Sequence, residues 1–240
     1  MSYTEIPLSG GIRVYIECTW SLKIDRPSTI FPDGCTDLLF SESGEVYVSG
    51  VTSKAYLLDD HRFGTQLFGL RLSAGVVPFL LGIPSSLLLD QVVQLTELDS
   101  RIARSLAVKL KEADTLNELK CRAVETVESI CRRTSPDRRL LFALSRLDSQ
   151  PVRSVASSLG ISERHLHRLF LQGVGLGPAR VKRIRRMQRA IDAMRKRDGT
   201  VSMVDIALAH GFYDQAHLSR ELKELTGLSP VALHRSLIDG

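Results

Sequence analysis

The feature that most constrains the fold of this 240-residue chain is a repeat near its C-terminus. One copy runs from Val155-Ala156 to Gly177-Pro178, and the other runs from Ile206-Ala207 to Ser229-Pro230. Each copy has a small alanine, a glycine four residues later, apolar residues at helical spacing and a closing Gly-Leu-x-Pro segment. Two helices that cross through a tight turn require these residue types, so the repeat predicts two helix-turn-helix units.

Individual positions predict the turn and the second helix of each unit. Gly160 and Gly211 can adopt a positive φ and so end the first helix, and the apolar residue after each would fill the angle between the helices. Ser162 and Asp214 are the predicted N-caps of the second helices. The polar faces of these helices carry side chains of the kinds that read base edges or bind phosphate: Arg164, His167 and Arg168 in the first unit, and Gln215, Ser219 and Arg220 in the second.

A basic segment joins the two units. Pro178 can begin a helix, and no helix-breaking residue follows before Arg197, so a helix of about 30 Å is predicted. This length is close to the ~34 Å between major-groove faces one turn apart on DNA. The segment has nine basic residues and one acid, Asp192, which suits a phosphate-lined surface. The predicted phosphate contacts are Lys182, Arg183 and Arg186 in this segment, with Arg153 and Lys223 in the units.

Charge is divided unequally along the chain. Residues 1–135 carry 14 basic and 17 acidic side chains, whereas residues 136–240 carry 18 and 10, for a net charge of +8. This asymmetry indicates that the C-terminal part binds a polyanion. Two alternatives stay open on charge alone: a purely structural helical bundle, and a protein that uses its basic half on RNA or on a protein partner.

The C-terminal segments resemble the DNA-binding domain of the AraC/XylS family of transcription regulators over residues 137–238. The resemblance rests on VASSLGISERHLHRLF, GLGPARVKRIRRMQRAI and VDIALAHGFYDQAHLSRELKELTGLSP. It implies two recognition helices in successive major grooves on one face of double-stranded DNA. The implied base-reading residues are Arg164, His167, Arg168, Gln215, Ala216, Ser219 and Arg220. Val181, Leu222 and Leu233 depart from the family pattern but stay apolar, while Glu221 weakens the expected phosphate contact near the second helix.

The N-terminal half has a β-rich texture. Short β-branched and aromatic runs separated by Gly, Ser and Asp predict a small barrel or sandwich. Helices are predicted over about 76–133. They include a short one over Ser85 to Val93 and a longer amphipathic one with an apolar stripe of Ile102, Leu106 and Leu110. The fold class is therefore α+β: a β-rich, cupin-like domain with following helices over residues 1–134, then an all-α domain over residues 135–240. The predicted strands are Arg13 to Lys23, Thr36 to Phe40, Val46 to Val51, Ala55 to Leu58 and Leu67 to Leu72. Ile30 to Gly34 is predicted as a strand that runs into a turn at Pro32, Asp33 and Gly34.

The N-terminal half also resembles, more distantly, sensor domains attached to such regulators. The segments FPDGCTDLLF (31–40) and GLRLSAG (69–75), followed by LGIP (81–84), carry this resemblance. It implies that the domain binds a small-molecule effector and that RNA polymerase is a partner. The helices at 100–133 have two possible roles: they form a homodimer, which the resemblance favours, or they only pack under the β-rich domain. The candidate pocket residues are Trp20, Phe31, Phe40, Phe63, Phe68 and Arg71, and a pocket containing Arg71 would suit an acidic ligand.

Other functional classes find little support in the sequence. Asp33, Asp37 and His61 could form an acid/base set, but a nucleophile elbow, a P-loop and an HExxH motif are all missing, so no enzyme and no cofactor are expected. The β-rich half has only His61 for a metal centre. The four cysteines are expected to be reduced thiols, with a thiol sensor at Cys18 and Cys35 as the alternative. Neither a signal peptide nor a run of ~18 apolar residues is present, which predicts a cytoplasmic protein without membrane contact.

Overall fold

The computed structural model describes residues 2–58, 63–110, 116–132, 135–195 and 202–238. Strands fill the first part of the chain and helices the last part, which confirms the predicted α+β class. In chain order the strands are β1 (Ser2–Pro7), β2 (Ile16–Lys23), β3 (Ser28–Ile30), β4 (Thr36–Ser41), β5 (Val46–Ser49), β6 (Tyr56–Leu58), β7 (Gln66–Leu72) and β8 (Val92–Gln94).

The strands form a six-stranded antiparallel sheet in the order β1-β2-β7-β4-β5-β8 and a two-stranded sheet of β3 and β6. Strands β1 and β8 are not among the predicted strands, and the helix predicted over Ser85 to Val93 is wrong. That segment is a 3-10 helix at Ser85–Leu88 followed by β8. A short apolar run is compatible with either a helix or a strand. In this segment, pairing with β5 makes Val92–Gln94 a strand.

The large sheet buries both of its faces. In β4, Leu38 and Phe40 point to one side and Leu39 to the other, as strand pleating requires. The first face packs on the helices that follow the sheet, and the second packs under β3 and β6. On the second face, Trp20 lies over Gly69 of the neighbouring strand, where a Cβ would overlap the indole ring. The N-terminal region therefore has two cores on opposite sides of one sheet.

Three helices cover the first face: α1 (Val77–Leu80), α2 (Arg101–Leu110) and α3 (Leu116–Cys131). The predicted stripe of α2 is confirmed at Leu106 and Leu110, but Ile102 is 43% exposed. Ala103 and Ala107 are buried instead, because the stripe centred on the sheet follows the i, i+3, i+4, i+7 pattern and leaves Ile102 at its edge. Among the described residues, no helix is both long and apolar enough to cross a membrane.

The C-terminal region is helical and has one shared core. Its helices are α4 (Arg138–Arg146), α5 (Val152–Ser158), α6 (Glu163–Gly173), α7 (Pro178–Arg195), α8 (Met203–Ala209), α9 (Gln215–Thr226) and α10 (Pro230–Ile238). Helices α5 and α6 form the first predicted unit, and α8 and α9 form the second. The long helix α7 contributes Ile184 and Met187 to the core, which also contains Phe170 and Leu218. Lys196 and Arg197, predicted to end α7, lie outside the described residues.

Two backbone hydrogen bonds join the described residues of the two regions. Ala55 donates its N–H to the carbonyl of Leu225 at 2.8 Å, at the C-terminal end of α9. Gly75 donates to the carbonyl of Gly173 at 2.9 Å, at the end of α6. Val51, from the loop after β5, is buried in the core of the C-terminal region. The N-terminal region therefore contacts both helix-turn-helix units at the C-terminal ends of their second helices.

Candidate DNA-binding interface

The turns of both units have the predicted geometry. Gly160 and Gly211 adopt φ values of 66° and 76° at the ends of α5 and α8. The Ser162 side chain accepts a hydrogen bond from the His165 N–H at 3.2 Å. The Asp214 side chain caps α9 in the same way, with a 2.6 Å bond from the backbone of the third helical residue. Both predicted N-caps are therefore confirmed, and each fixes where its helix begins.

Helix α6 presents one apolar face and one polar face. Leu166, Leu169 and Phe170 are buried, while the predicted base-reading residues Arg164, His167 and Arg168 are exposed. Because the cap sets the start of the helix and the core sets its rotation, these three side chains lie on a surface open to a binding partner.

Helix α9 repeats this arrangement. Gln215, Ala216 and Arg220 are exposed, and Ser219 is half-buried, with its hydroxyl donating to the carbonyl of Gln215 at 2.8 Å. The sequence analysis did not single out Tyr213, which precedes the cap of α9 and is 86% exposed. Tyr213 follows the buried Phe212 directly in the turn, and this position in the sequence could have indicated that its side chain is exposed.

Three arginines of α7 are bound to two glutamates of α9, an arrangement termed here the arginine clamp. Arg183 donates to Glu221 at 2.8 Å and to Glu224 at 2.6 Å. Arg186 donates to Glu221 at 2.8 Å, and Arg180 donates to Glu224 at 3.1 Å. Glu221 is only 8% exposed, and hydrogen bonds from Arg183 and Arg180 lower the pKa of Glu224. The clamp holds the second unit against the linking helix.

The other described basic residues of α7 also have internal partners. Lys182 donates to the carbonyl of Gln150 at 2.7 Å, and Arg185 donates to the carbonyl of Leu144 at 2.8 Å. Arg189 pairs with Asp148 at 3.1 Å. The interpretation of this helix as a row of charges facing phosphate therefore needs correction, since much of the charge holds the units together. Phosphate contact by Lys182, Arg183 and Arg186 stays a prediction. Arg153 and Lys223 are exposed.

The candidate effector residues do not meet in one place. Trp20 and Phe63 lie in the core under the small sheet, whereas Phe40 and Phe68 lie on the opposite face of the large sheet, with ring centroids 5.5 Å apart. Phe31 packs against the core of the C-terminal region. These side chains belong to three separate apolar clusters, so the structure gives no support to a single pocket lined by all of them.

Arg71 is surrounded by acidic side chains. Its guanidinium lies 3.0 Å from Asp33, 3.4 Å from Glu5 and 3.4 Å from Asp37. Asp37 also accepts a hydrogen bond from the Trp20 indole at 3.0 Å. Burial raises the pKa of Asp37 to about 7, although Arg71 opposes the shift. An acidic ligand at Arg71 would meet these carboxylates, so this cluster does not suit the predicted acidic effector.

The Asp37 pKa gives a testable pH dependence. Because the pKa is raised above the ordinary value of 3.8 in the folded state, the protonated form is favoured there. Its stabilising contribution is full below pH ~4 and is lost as pH rises towards ~7. We expect the urea midpoint, followed by fluorescence of the single tryptophan, to fall over this range. The Asp37→Asn variant should lose that part of the slope, and an unchanged slope would contradict the assignment.

The groups considered for catalysis and metal binding are not assembled in the described part of the chain. Asp33 and Asp37 belong to the ion cluster at Arg71, and His61 lies outside the described residues. Within the described ranges, no group of three or more His, Cys, Asp or Glu side chains could hold a metal ion. The cysteines are all unpaired, and burial raises the pKa of the Cys18 and Cys131 thiols to about 12.

Two known families match separate parts of the chain. Residues 155–236 match a family described as a helix-turn-helix domain, which covers both repeat units. The C-terminal region is an AraC-type helix-turn-helix DNA-binding domain. Residues 4–94 match a domain of unknown function, DUF6597. The match over residues 155–236 thus confirms the resemblance found in the C-terminal sequence. The match over residues 4–94 does not identify a ligand for the N-terminal region.

The chain also matches solved structures of ToxT from Vibrio cholerae. A ligand-free ToxT variant matches at 12% identity and a TM-score of 0.44, over 98% of this chain and 96% of that one. Wild-type ToxT bound to an unsaturated fatty acid matches at 11% identity and a TM-score of 0.44, over 92% and 95%. No curated protein matches the chain.

Proposed function

We propose that the chain is a sequence-specific transcription regulator whose helices α6 and α9 read two successive major grooves. The observation that supports this best is the repeated arrangement of a capped helix with a buried apolar face and an exposed polar one, on both sides of α7. Selection of bound sites from a random duplex pool, with the full chain at physiological salt, tests it. Two short conserved blocks ~10 base pairs apart are expected. Binding that enriches no sequence would contradict it.

The proposed base-reading set is Arg164, His167 and Arg168 on α6 with Gln215, Ala216, Ser219 and Arg220 on α9. Arginine can donate two parallel hydrogen bonds to guanine, so it is the residue type with the largest expected effect on base choice. We expect Arg168→Ala and Arg220→Ala each to weaken operator binding by about 1–3 kcal/mol and to relax preference in one block only. Arg26→Ala, which changes an exposed arginine between β2 and β3, serves as the control. A loss that is uniform across sequences would show phosphate contact instead.

Phosphate contacts are proposed for Arg153 and Lys223, which are exposed, and for Lys182, Arg183 and Arg186. The last three are expected to contribute less, because each would have to exchange an internal acceptor for a phosphate oxygen. The salt dependence of binding is the measurement, since removal of one phosphate contact lowers the slope of log K against log salt by ~1.

We also propose two domains, 1–134 and 135–240, with an effector bound by the first and a homodimer formed through α2 and α3. The contacts of Val51 and Ala55 with the second domain support a route by which an effector would bias the position of the DNA-binding domain. RNA polymerase is the partner expected of such a regulator. Sedimentation equilibrium at micromolar concentration tests the dimer, and a monomer there would contradict it.

A further inference from the structure

A cavity of about 200 Å³ lies between the two regions and is termed here the junction cavity. One wall comes from the large sheet and its loops, with Glu17 on β2 and Thr36 on β4. The other wall comes from the DNA-binding domain, with Val174 after α6 and with Val181 and Arg185 on α7. Neither region alone encloses the space, because each supplies only one side.

The two walls carry opposite charge. Glu17 and Asp33 lie on the sheet side, where Asp33 is already paired with Arg71 at 3.0 Å. Arg185 lies on the α7 side, close enough to Glu17 for its charge to oppose the rise in the pKa of that carboxyl group. Arg185 is held by the carbonyl of Leu144 at 2.8 Å and by Asp148 at 3.7 Å, and none of the ion pairs among the described residues joins it to Glu17. Burial raises the pKa of Glu17, although Arg71 and Arg185 oppose the shift. A positive group between them would therefore be stabilised at Glu17, and a negative one at Arg185.

The remaining walls and the volume limit what can bind. Leu72, Val77, Leu144 and Val181 are apolar parts of the lining. The volume is below the ~300–1,000 Å³ of sites for drug-sized ligands, and it exceeds by several times the ~30 Å³ that one water occupies. A ligand with a few non-hydrogen atoms, one charge of each sign and a small apolar group fits these conditions.

We propose that the junction cavity binds a free α-amino acid with a small apolar side chain, its ammonium group at Glu17 and its carboxylate at Arg185. This deepens the effector part of the proposed function and rests on it. Glu17 and Arg185 come from different regions, so the site is complete only when the two regions are in contact as they are in this structure. A bound ligand therefore stabilises that contact between the regions. In that arrangement Arg168 and Arg220 are exposed, so the bound ligand holds the DNA-binding domain without covering the surfaces that read DNA.

The test is thermal unfolding of the full chain in the presence of each of the twenty protein amino acids. Saturation by one or more of the small apolar ones should raise Tm by roughly 5 °C for a chain of this size. For each amino acid that raises Tm, two matched analogues test its two charged groups separately. The methyl ester lacks the carboxylate, and the des-amino acid lacks the ammonium group. Neither analogue should raise Tm. A panel without any shift, or a methyl ester that acts as strongly as the acid, would overturn the proposal.

Variants of Glu17 and Arg185 test which cavity residue binds each charged group of the ligand. Glu17→Gln and Arg185→Gln should each weaken binding of the amino acid at least tenfold. Arg185→Lys keeps a cation at this position and should retain much of the affinity. Glu97→Gln and Arg195→Gln change exposed side chains outside the cavity, and these variants should bind the amino acid as the wild type does. Unchanged binding in both Gln variants of the cavity would refute the assignment. Since DNA takes no part in this measurement, a failure here is separate from a failure of site selection, and selection without enrichment would refute the regulator function alone.

Discussion

Replacing Glu221 by alanine is expected to lower the free energy of unfolding by about 3 kcal/mol, the range found when one partner of a buried ion pair is removed. The Glu221 carboxylate lies 2.8 Å from both Arg183 and Arg186, and only 11% of its side chain is exposed. Without it, two guanidinium groups of adjacent turns face each other in a region with little water. Arg186 would keep its bond to the carbonyl of Gly211 and its contact with the Phe212 ring, but neither neutralises its charge.

Glu224 provides the matched control for this change. It lies on the same helix and binds Arg183 at 2.6 Å and Arg180 at 3.1 Å, but 50% of its side chain is exposed. Exposed ion pairs contribute about 0–1 kcal/mol, so Glu224→Ala should cost much less than Glu221→Ala. Urea unfolding followed by far-ultraviolet circular dichroism compares the two. Equal losses would mean that burial of the Glu221 carboxylate does not determine its role.

The arginine clamp also connects stability to recognition. It fixes α9 against α7, and α7 packs in the same core as α6, so the spacing of the two proposed reading helices depends on it. We therefore expect any DNA-binding defect of the Glu221 variant to be concentrated in the block read by α9. The sequence analysis treated Glu221 as a negative charge that would oppose phosphate, whereas the structure places it inside the domain.

Local features of the DNA-binding domain could be predicted from the sequence because they depend on a few consecutive residues. The positive φ of Gly160 and Gly211, the caps at Ser162 and Asp214, and the start of α7 at Pro178 are all of this kind. The partners of the α7 arginines could not be predicted in this way. A count of charges does not distinguish an arginine that faces phosphate from one bound to a glutamate about forty residues away.

The N-terminal region shows the same limit for a sheet. Trp20 and Phe40 both belong to the candidate pocket residues, and both lie in predicted strands. Their faces depend on the register of β2 and β4 against β7, which places them on opposite sides of the large sheet. A register shift of one residue moves every side chain of a strand to the other face of the sheet. The register is set by pairing with strands that are distant in the sequence. The junction cavity needs the docking of two regions as well, so no local pattern indicated it.

Gly50→Ala is expected to destabilise the N-terminal region by about 2–4 kcal/mol, in the upper range for overpacking, because the obstacle is backbone. A Cβ at Gly50 would overlap the carbonyl group of Leu88. That close approach is fixed by a bond from the Gly50 N–H to the carbonyl of Gln91 at 3.0 Å and by one from Asp90 to the carbonyl of Val51 at 3.0 Å. The methyl group can be accommodated only if these two segments separate.

The separation should also reach the DNA-binding domain. The chain continues from Gly50 to Val51, which is buried in the core of that domain, and to Ser53 and Ala55, whose backbones bond to Arg180 and Leu225. Gly11→Ala is the control, since Gly11 has open space around its Cβ position and an ordinary backbone conformation. Urea unfolding followed by fluorescence of Trp20, the only tryptophan of the chain, measures the loss. If Gly50→Ala were as stable as Gly11→Ala, the loop from Val51 to Ala55 could shift without strain and could not act as a fixed connection between effector and DNA.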